Sequence, residues 1–195
     1  DQGWEYAMVD VVTTGFAGLQ TLREAFEDLG LAIHAHRAMH AMFTKDETHG
    51  MAMPCLAKLL RLVGVDQLHT GTIIGKLVSP EAEVLASNDT LREAKVSARE
   101  GLLDQDWGDH KPAFPVSSGG LHTGIVPDIL DTFGHDCVIQ LGGGVHGHPD
   151  GTRAGARALR RVIDGHLAGE DLDTMAQEDP AVAQALEKWG REHPK

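Results

Sequence analysis

LAIHAHR, residues 31–37, is a short run in which Leu31, Ile33 and Ala35 alternate with Ala32, His34 and His36 before it ends on Arg37. Alternation at a period of two is the mark of a β-strand, and it puts His34 and His36 on one face. An amphipathic stretch over residues 16–29 precedes the run and is closed by Gly30; a second stretch follows, from His49-Gly50 to Val63-Gly64. Glycine just past the last periodic residue is a helix stop signal. The same unit recurs in both directions. Residues 6–12, 65–70, 113–117 and 137–141 are further strand candidates, each followed by polar or glycine-rich residues. Helices are predicted over residues 90–102 with Asp89 as cap, 125–133, 150–168 and 172–189, whereas 71–88 reads as a long connection and 104–111 as a loop. Short apolar runs alternating with longer amphipathic ones predict an α/β fold with a parallel sheet.

Five such units in series suggest a (β/α)8 barrel. A closed barrel needs eight strands and about 250 residues, more than this chain of 195 supplies. The expectation is a partial barrel whose first strands lie upstream of Asp1. Net charge, with 17 basic against 29 acidic residues, is −12, which disfavours nucleic acid and anionic membranes as partners. No apolar run approaches the roughly 18 residues of a membrane span, and residues 1–8 lack a basic, apolar leader. These features predict a soluble, cytoplasmic protein. Cys55 and Cys137 stand far apart in apolar surroundings, without a CxxC pair, and read as two buried thiols in a reducing compartment.

In a parallel barrel the C-terminal strand ends build the active face. Here they carry His34-Ala35-His36-Arg37, His69-Thr70-Gly71-Thr72, Ser117-Ser118-Gly119-Gly120 and Gly142-Gly143-Gly144. Side-chain-free turns let backbone N–H groups approach a phosphate, so Gly119-Gly120 and Gly142-Gly143 are phosphate-cradle candidates as well as possible tight turns. Arg37 and His69 could anchor a second phosphate; a structural ion pair and a hydrogen-bonded core histidine are the competing readings. His34, His36, His40 and His69 also resemble the ligand pattern of a barrel metallohydrolase. Lys76 sits in the glycine-bounded stretch 71–76, where it is either a lid lysine that stabilises developing charge or a solvated surface residue. Met39, Met42, Met51, Met53 and Phe43 read as core filling. Glu170, Asp171, Asp173, Glu178 and Asp179 read as a solvated face with helix-capping duties.

The strings IHAHRAMHAMF (33–43), HGMAMPCLAKLLRLVGVDQLHTGTIIGKL (49–77), FPVSSGGLHTG (114–124) and VIQLGGGVHGHPDG (138–151) strongly resemble the large subunit of ribulose-1,5-bisphosphate carboxylase/oxygenase, RuBisCO. They occur in that family's order across nearly the whole chain, and the wording is most like the archaeal form, which works in nucleoside (AMP) salvage. The resemblance implies strands four to eight of the family's barrel plus its C-terminal helices, with the N-terminal domain and first strands absent. It implies carboxylation and oxygenation of ribulose 1,5-bisphosphate by CO2 and O2, giving 3-phosphoglycerate on carboxylation. By similarity His36 is the proton-shuttling base, and Arg37 and His69 hold one phosphate. Lys76 is the lid lysine, and Ser118 bonds a substrate hydroxyl. Gly119, Gly120 and the turn Gln140, Leu141, Gly142 and Gly143 cradle the other phosphate. The family's magnesium ion, held by a carbamylated lysine and two acidic residues, has its ligands outside this chain. A homodimer or dimer-based oligomer of the full-length subunit is implied. Val145-His146 departs from the family's usual Thr-Leu, and the stretch 78–111 is this chain's own. Two rival activities remain open: a RuBisCO-like enolase or isomerase acting on a related sugar phosphate, and a non-catalytic fragment.

Overall fold

The computed structural model describes residues 3–46, 48–74 and 79–191. They fall into two compact units. The first takes the chain up to Thr70, Ser79–Val116 and Asp136–Val138; the second takes the segment beginning at Gly71, Ser117–His135 and the chain from Ile139 onward.

In the first unit the chain runs β1 (Tyr6–Asp10), α1 (Val11–Leu29), β2 (Ala32–His36), α2 (Ala41–Thr44), α3 (Met53–Val63), β3 (Gln67–His69) and α4 (Glu81–Arg92). Two-residue strands β4 (Lys95–Val96) and β5 (Gln105–Asp106) pair antiparallel before β6 (Phe114–Ser118) and β7 (Val138–Gln140). The main sheet has the order β1-β2-β3-β6-β7, and β1 to β2, β2 to β3 and β3 to β6 are parallel ladders. Alternation sorts the strand residues. Val9, Ile33, Ala35 and Leu68 are buried in one cluster with Leu19 of α1 and with Met53, Leu56, Ala57 and Leu60 of α3. The spacing of the α3 residues is the i, i+3, i+4, i+7 stripe of a helix lying on a sheet. The opposite sheet face carries Met8, His34 and Gln67 in one layer, matched by register, and Asp10 and His36 in the next toward the C-terminal ends.

Arg61 extends the α3 stripe as a buried cation. Its guanidinium donates to the carbonyls of Thr90, Glu93, His110 and Lys111, and it stacks 4.1 Å from the Trp107 ring centroid. One side chain thus satisfies four carbonyls beyond the reach of any ladder.

The second unit contains a 3-10 turn (Thr123–Ile125) leading into α5 (Val126–Phe133), then α6 (Gly143–His146), α7 (Gly151–Leu167), α8 (Leu172–Glu178) and α9 (Pro180–Trp189). Ile125, Ile129, Phe133, Ala158, Val162, Met175, Val182 and Ala185 are buried, and α7 packs against α5, α8 and α9. Asp171 and Asp179 accept the Thr174 and Ala181 backbone N–H groups as caps, and Arg161 ties Glu170 to Glu178. The acidic cluster is a capping and ion-pairing face, as its composition suggests.

Five expectations are corrected. No helix covers 90–102: α4 lies earlier, opened by Pro80 with Glu81 and Glu83 in its first turn, and Asp89 sits near its end beside Arg99. Its buried face carries Ser87, Asn88 and Thr90 among the apolar residues, which blurs the hydrophobic period. The first strand stops at Asp10 rather than at residue 12, and the break that follows is at Gly15 inside α1. The helix expected over 172–189 is two, because Pro180 cannot continue α8 and instead starts α9. Cys55 is exposed and Cys137 half-buried; Met39, Met42 and Phe43 are exposed too, leaving Met53 in the core and Met51 packed against it. Among the described residues no helix is long and apolar enough to cross a membrane.

Candidate functional site

In the first unit, parallel strands deliver polar side chains to the C-terminal ends of β1, β2 and β3. His36 ends β2 opposite Asp10 of β1, and its Nδ1 lies 2.6 Å from Asp10 Oδ1. The His69 ring stands edge-on to His36 and to His34, with centroids 4.9 Å away in both cases. His34 Nε2 is 2.8 Å from His69 Nε2, and His34 Nδ1 is 2.5 Å from Gln67 Oε1. A carbonyl oxygen can only accept, so His34 donates from Nδ1 to Gln67 and His69 donates from Nε2 to His34.

This packing sets the charges. Burial, followed by the fields of His34, His36 and Arg37, lowers the His69 pKa to about 4. His40, hydrogen-bonded to Thr44 Oγ1, is lowered to about 4 by burial and then by Arg37 and His36. Burial also lowers Arg37, to about 10, against an opposing pull from Glu83. At neutral pH Arg37 is therefore a cation beside neutral His69 and His40. Among the described residues Arg37 forms no ion pair within 4 Å; Glu83 acts on it only through its field and accepts the Met53 N–H at 3.1 Å. A half-buried guanidinium without a carboxylate partner suits an incoming phosphate.

The metal reading fails on geometry. Two imidazole nitrogens on one zinc would stand roughly 3.3 Å apart with the ion between them. The His34 and His69 nitrogens are instead hydrogen-bonded at 2.8 Å. Among the described residues no group of three or more His, Cys, Asp or Glu side chains could hold a metal ion. Lys76 lies outside the described residues.

In the second unit Ser118 is half-buried, and Gly119 and Gly120 follow with φ of 104° and 70°. Both angles lie in the left-handed region that side chains disfavour, so glycine is required for this turn. Buried Ser117 Oγ has no hydrogen-bond partner among the described residues. After β7, exposed Gln140 and half-buried Leu141 lead to Gly142 and Gly143, both exposed, and a Cβ on either glycine would meet no atom within 4 Å. At Gly144 the reverse holds: a Cβ there would overlap the Leu121 carbonyl oxygen and the His122 Cα. The triple glycine thus divides into two residues that border open space and one that permits close packing of two chain segments.

The structure brings His36, Arg37 and His69 together and adds Asp10 and Gln67, which the sequence reading did not include. Placing the end of the first strand two residues too late hid Asp10 as a strand-end residue. Gln67 was legible from alternation, which sets it on the same face of β3 as His69.

The family described as ribulose bisphosphate carboxylase large chain, catalytic domain, matches residues 1–189. A ribulose bisphosphate carboxylase of Pyrococcus furiosus is 50% identical over 195 residues, covering 100% of this chain and 44% of the relative. A crystal structure of an archaeal ribulose 1,5-bisphosphate carboxylase/oxygenase superposes with a TM-score of 0.91 at 47% identity, covering 98% of this chain and 45% of its own. The dimeric archaeal enzyme of Hyperthermus butylicus gives 0.89 at 44% identity, covering 96% and 44%. The chain thus spans less than half the length of the relatives it matches.

Proposed function

Because the chain belongs to the ribulose bisphosphate carboxylase large-chain family, and to its archaeal type, we propose that it forms the phosphate-binding and lid part of an active site. The reaction is carboxylation, and oxygenation, of ribulose 1,5-bisphosphate, with carboxylation yielding 3-phosphoglycerate in nucleoside salvage. The observation that carries this reading is Arg37, half-buried and unpaired among the described residues, beside His36 and His69 at parallel strand ends. A metallohydrolase would need a ligand cluster there, and a purely structural arginine would be satisfied by a carboxylate or by backbone carbonyls, as Arg61 is.

In this proposal Arg37 supplies the charge for one phosphate and His69 a hydrogen bond. The histidine chain can serve that bond by reversing. If Gln67 turns its amide nitrogen toward His34, then His34 Nε2 donates to His69 Nε2, and His69 Nδ1 carries the proton for a phosphate oxygen. The other phosphate takes backbone N–H groups around Gly119, Gly120, Gly142 and Gly143, with Gln140 and Leu141 shaping the turn and Ser118 bonding a hydroxyl. His36 takes and returns a proton at a substrate hydroxyl through Nε2. Lys76 is assigned to the lid, where its charge would stabilise the carboxylate formed from CO2.

The parallel sheet is part of a (β/α)8 barrel in this reading, residues 1–195 being the later strands and C-terminal helices of one barrel domain. The described residues do not fit a magnesium site. The ion takes hard oxygen ligands, usually one or two carboxylates beside waters and substrate oxygens, and Asp10 at the strand ends is engaged by His36. Its ligands, a carbamylated lysine among them, are assigned to parts of the large subunit outside this chain, and no step here runs through it. Assembly as a homodimer or a dimer-based oligomer in the cytoplasm completes the proposal.

The test is calorimetry of a bisphosphate inhibitor on the full-length large subunit. Arg37→Ala should weaken binding by about 1.5–3 kcal/mol, roughly 10-fold to 150-fold in Kd. Unchanged affinity would return Arg37 to a structural role.

A further inference from the structure

We propose that Asp10 is a positioning residue that fixes the ring tautomer and orientation of His36; the inference rests on the reading of His36 as the proton-transferring base. Asp10 is the last residue of β1 and is in register with His36, the last of β2. Its Oδ1 lies 2.6 Å from His36 Nδ1. An ionised carboxylate has no proton to give, so Nδ1 donates and the lone pair is held on Nε2. Nε2 is the nitrogen a base must present to a substrate hydroxyl, and a carboxylate behind the ring also stabilises the imidazolium formed when the proton arrives.

The other groups around His36 do not perform this task. His69, from β3, meets the ring edge-on, and its Nε2 is committed to His34. Arg37 and His40 follow on the same segment, one a cation and the other hydrogen-bonded to Thr44. Glu83, from α4, acts on Arg37 and accepts from Met53. Asp10 is the carboxylate that touches His36. The β1–β2 ladder fixes the spacing of the pair, so the geometry is set by the sheet rather than by a loop.

The proton count closes. The substrate hydroxyl's O–H bond breaks, its proton forms an N–H bond at His36 Nε2, and the electron pair stays on the substrate oxygen. Asp10 remains ionised throughout, and the proton returns from Nε2 later in the cycle. No oxidant or further reactant is required.

Two readouts on the full-length enzyme test the role. Nitrogen-15 NMR of the imidazoles should show His36 protonated at Nδ1 in the parent and shifted toward the Nε2–H form in Asp10→Asn, whose amide can donate to Nδ1. Carboxylation turnover should fall about 10²-fold or more in kcat in Asp10→Asn, with KM within about threefold, because general-base catalysis is typically worth 10²–10⁴. Asp10→Glu, which keeps the charge, should recover part of the rate. An unaltered tautomer, or an unaltered kcat in Asp10→Asn while the parent carboxylates, overturns the proposal and leaves the functional reading standing. A parent that does not carboxylate overturns the functional reading itself, and the proposal with it.

Discussion

His69 is placed in the core of the first unit with both neighbouring histidines and Arg37 around it, so protonating it adds charge where water is scarce. Its pKa falls from 6.5 to about 4. The consequence for stability has a definite sign. Between pH 6.5 and 4 the unfolded chain binds a proton at this residue that the folded chain does not, so stability falls as pH drops through that window. Below about 4 both states are protonated and the loss stops. His69→Gln should flatten this part of the profile, read as urea midpoints at pH 7 and pH 4.5; an undiminished slope would show that His69 is not buried neutral. At this scale the sequence was informative about chemistry and less so about pairing. Histidine alternation and Arg37 could be read directly, because side-chain type and strand period fix a face. That Asp10 meets His36 could not, because it depends on a strand boundary and a ladder register. Cys55 was misjudged for a related reason: it lies within the apolar α3 segment but off the stripe, where it is exposed.

The elements show which sequence signals survive tertiary context. Strong stop signals were reliable: Gly30 closes α1 with φ 66°, and Gly64 closes α3. The hydrophobic period failed at α4, because that helix buries hydroxyl and amide groups, including Asn88, which accepts from Thr70 Oγ1 at 2.7 Å. Buried polar partners make such a helix look like a loop in sequence. The triple glycine after β7 offers a test at this scale. Gly144→Ala forces a Cβ into the Leu121–His122 backbone and should destabilise by about 1–3 kcal/mol, the usual cost of overpacking. Gly143→Ala points its Cβ into open space and should leave thermal stability near that of the parent while weakening bisphosphate binding. Thermal unfolding and calorimetry on the same two variants separate the cases. If Gly143→Ala is the destabilised variant and Gly144→Ala the neutral one, the division of the triple glycine into cradle and packing residues is wrong.

For the molecule as a whole, order was the most legible property: strands follow one another across a parallel sheet in chain order, as repeated βα units require. Closure of that sheet was not legible, since it depends on strands that would have to pair with β1. Trp4 just before β1, and Tyr6 and Met8 within it, are exposed, an apolar row of the kind that neighbouring strands cover. The family's barrel supplies such neighbours in the proposal, together with the metal ligands and the base that begins enolisation. The account therefore predicts a division of labour that one assay can expose: incorporation of labelled CO2 into acid-stable product, with magnesium and ribulose bisphosphate, by residues 1–195 alone and by the complete large subunit containing them. The complete subunit should turn over and residues 1–195 alone should not. Turnover by residues 1–195 in isolation, or none by the complete subunit, would contradict the assignment of this chain as the phosphate-binding and lid part of a carboxylase.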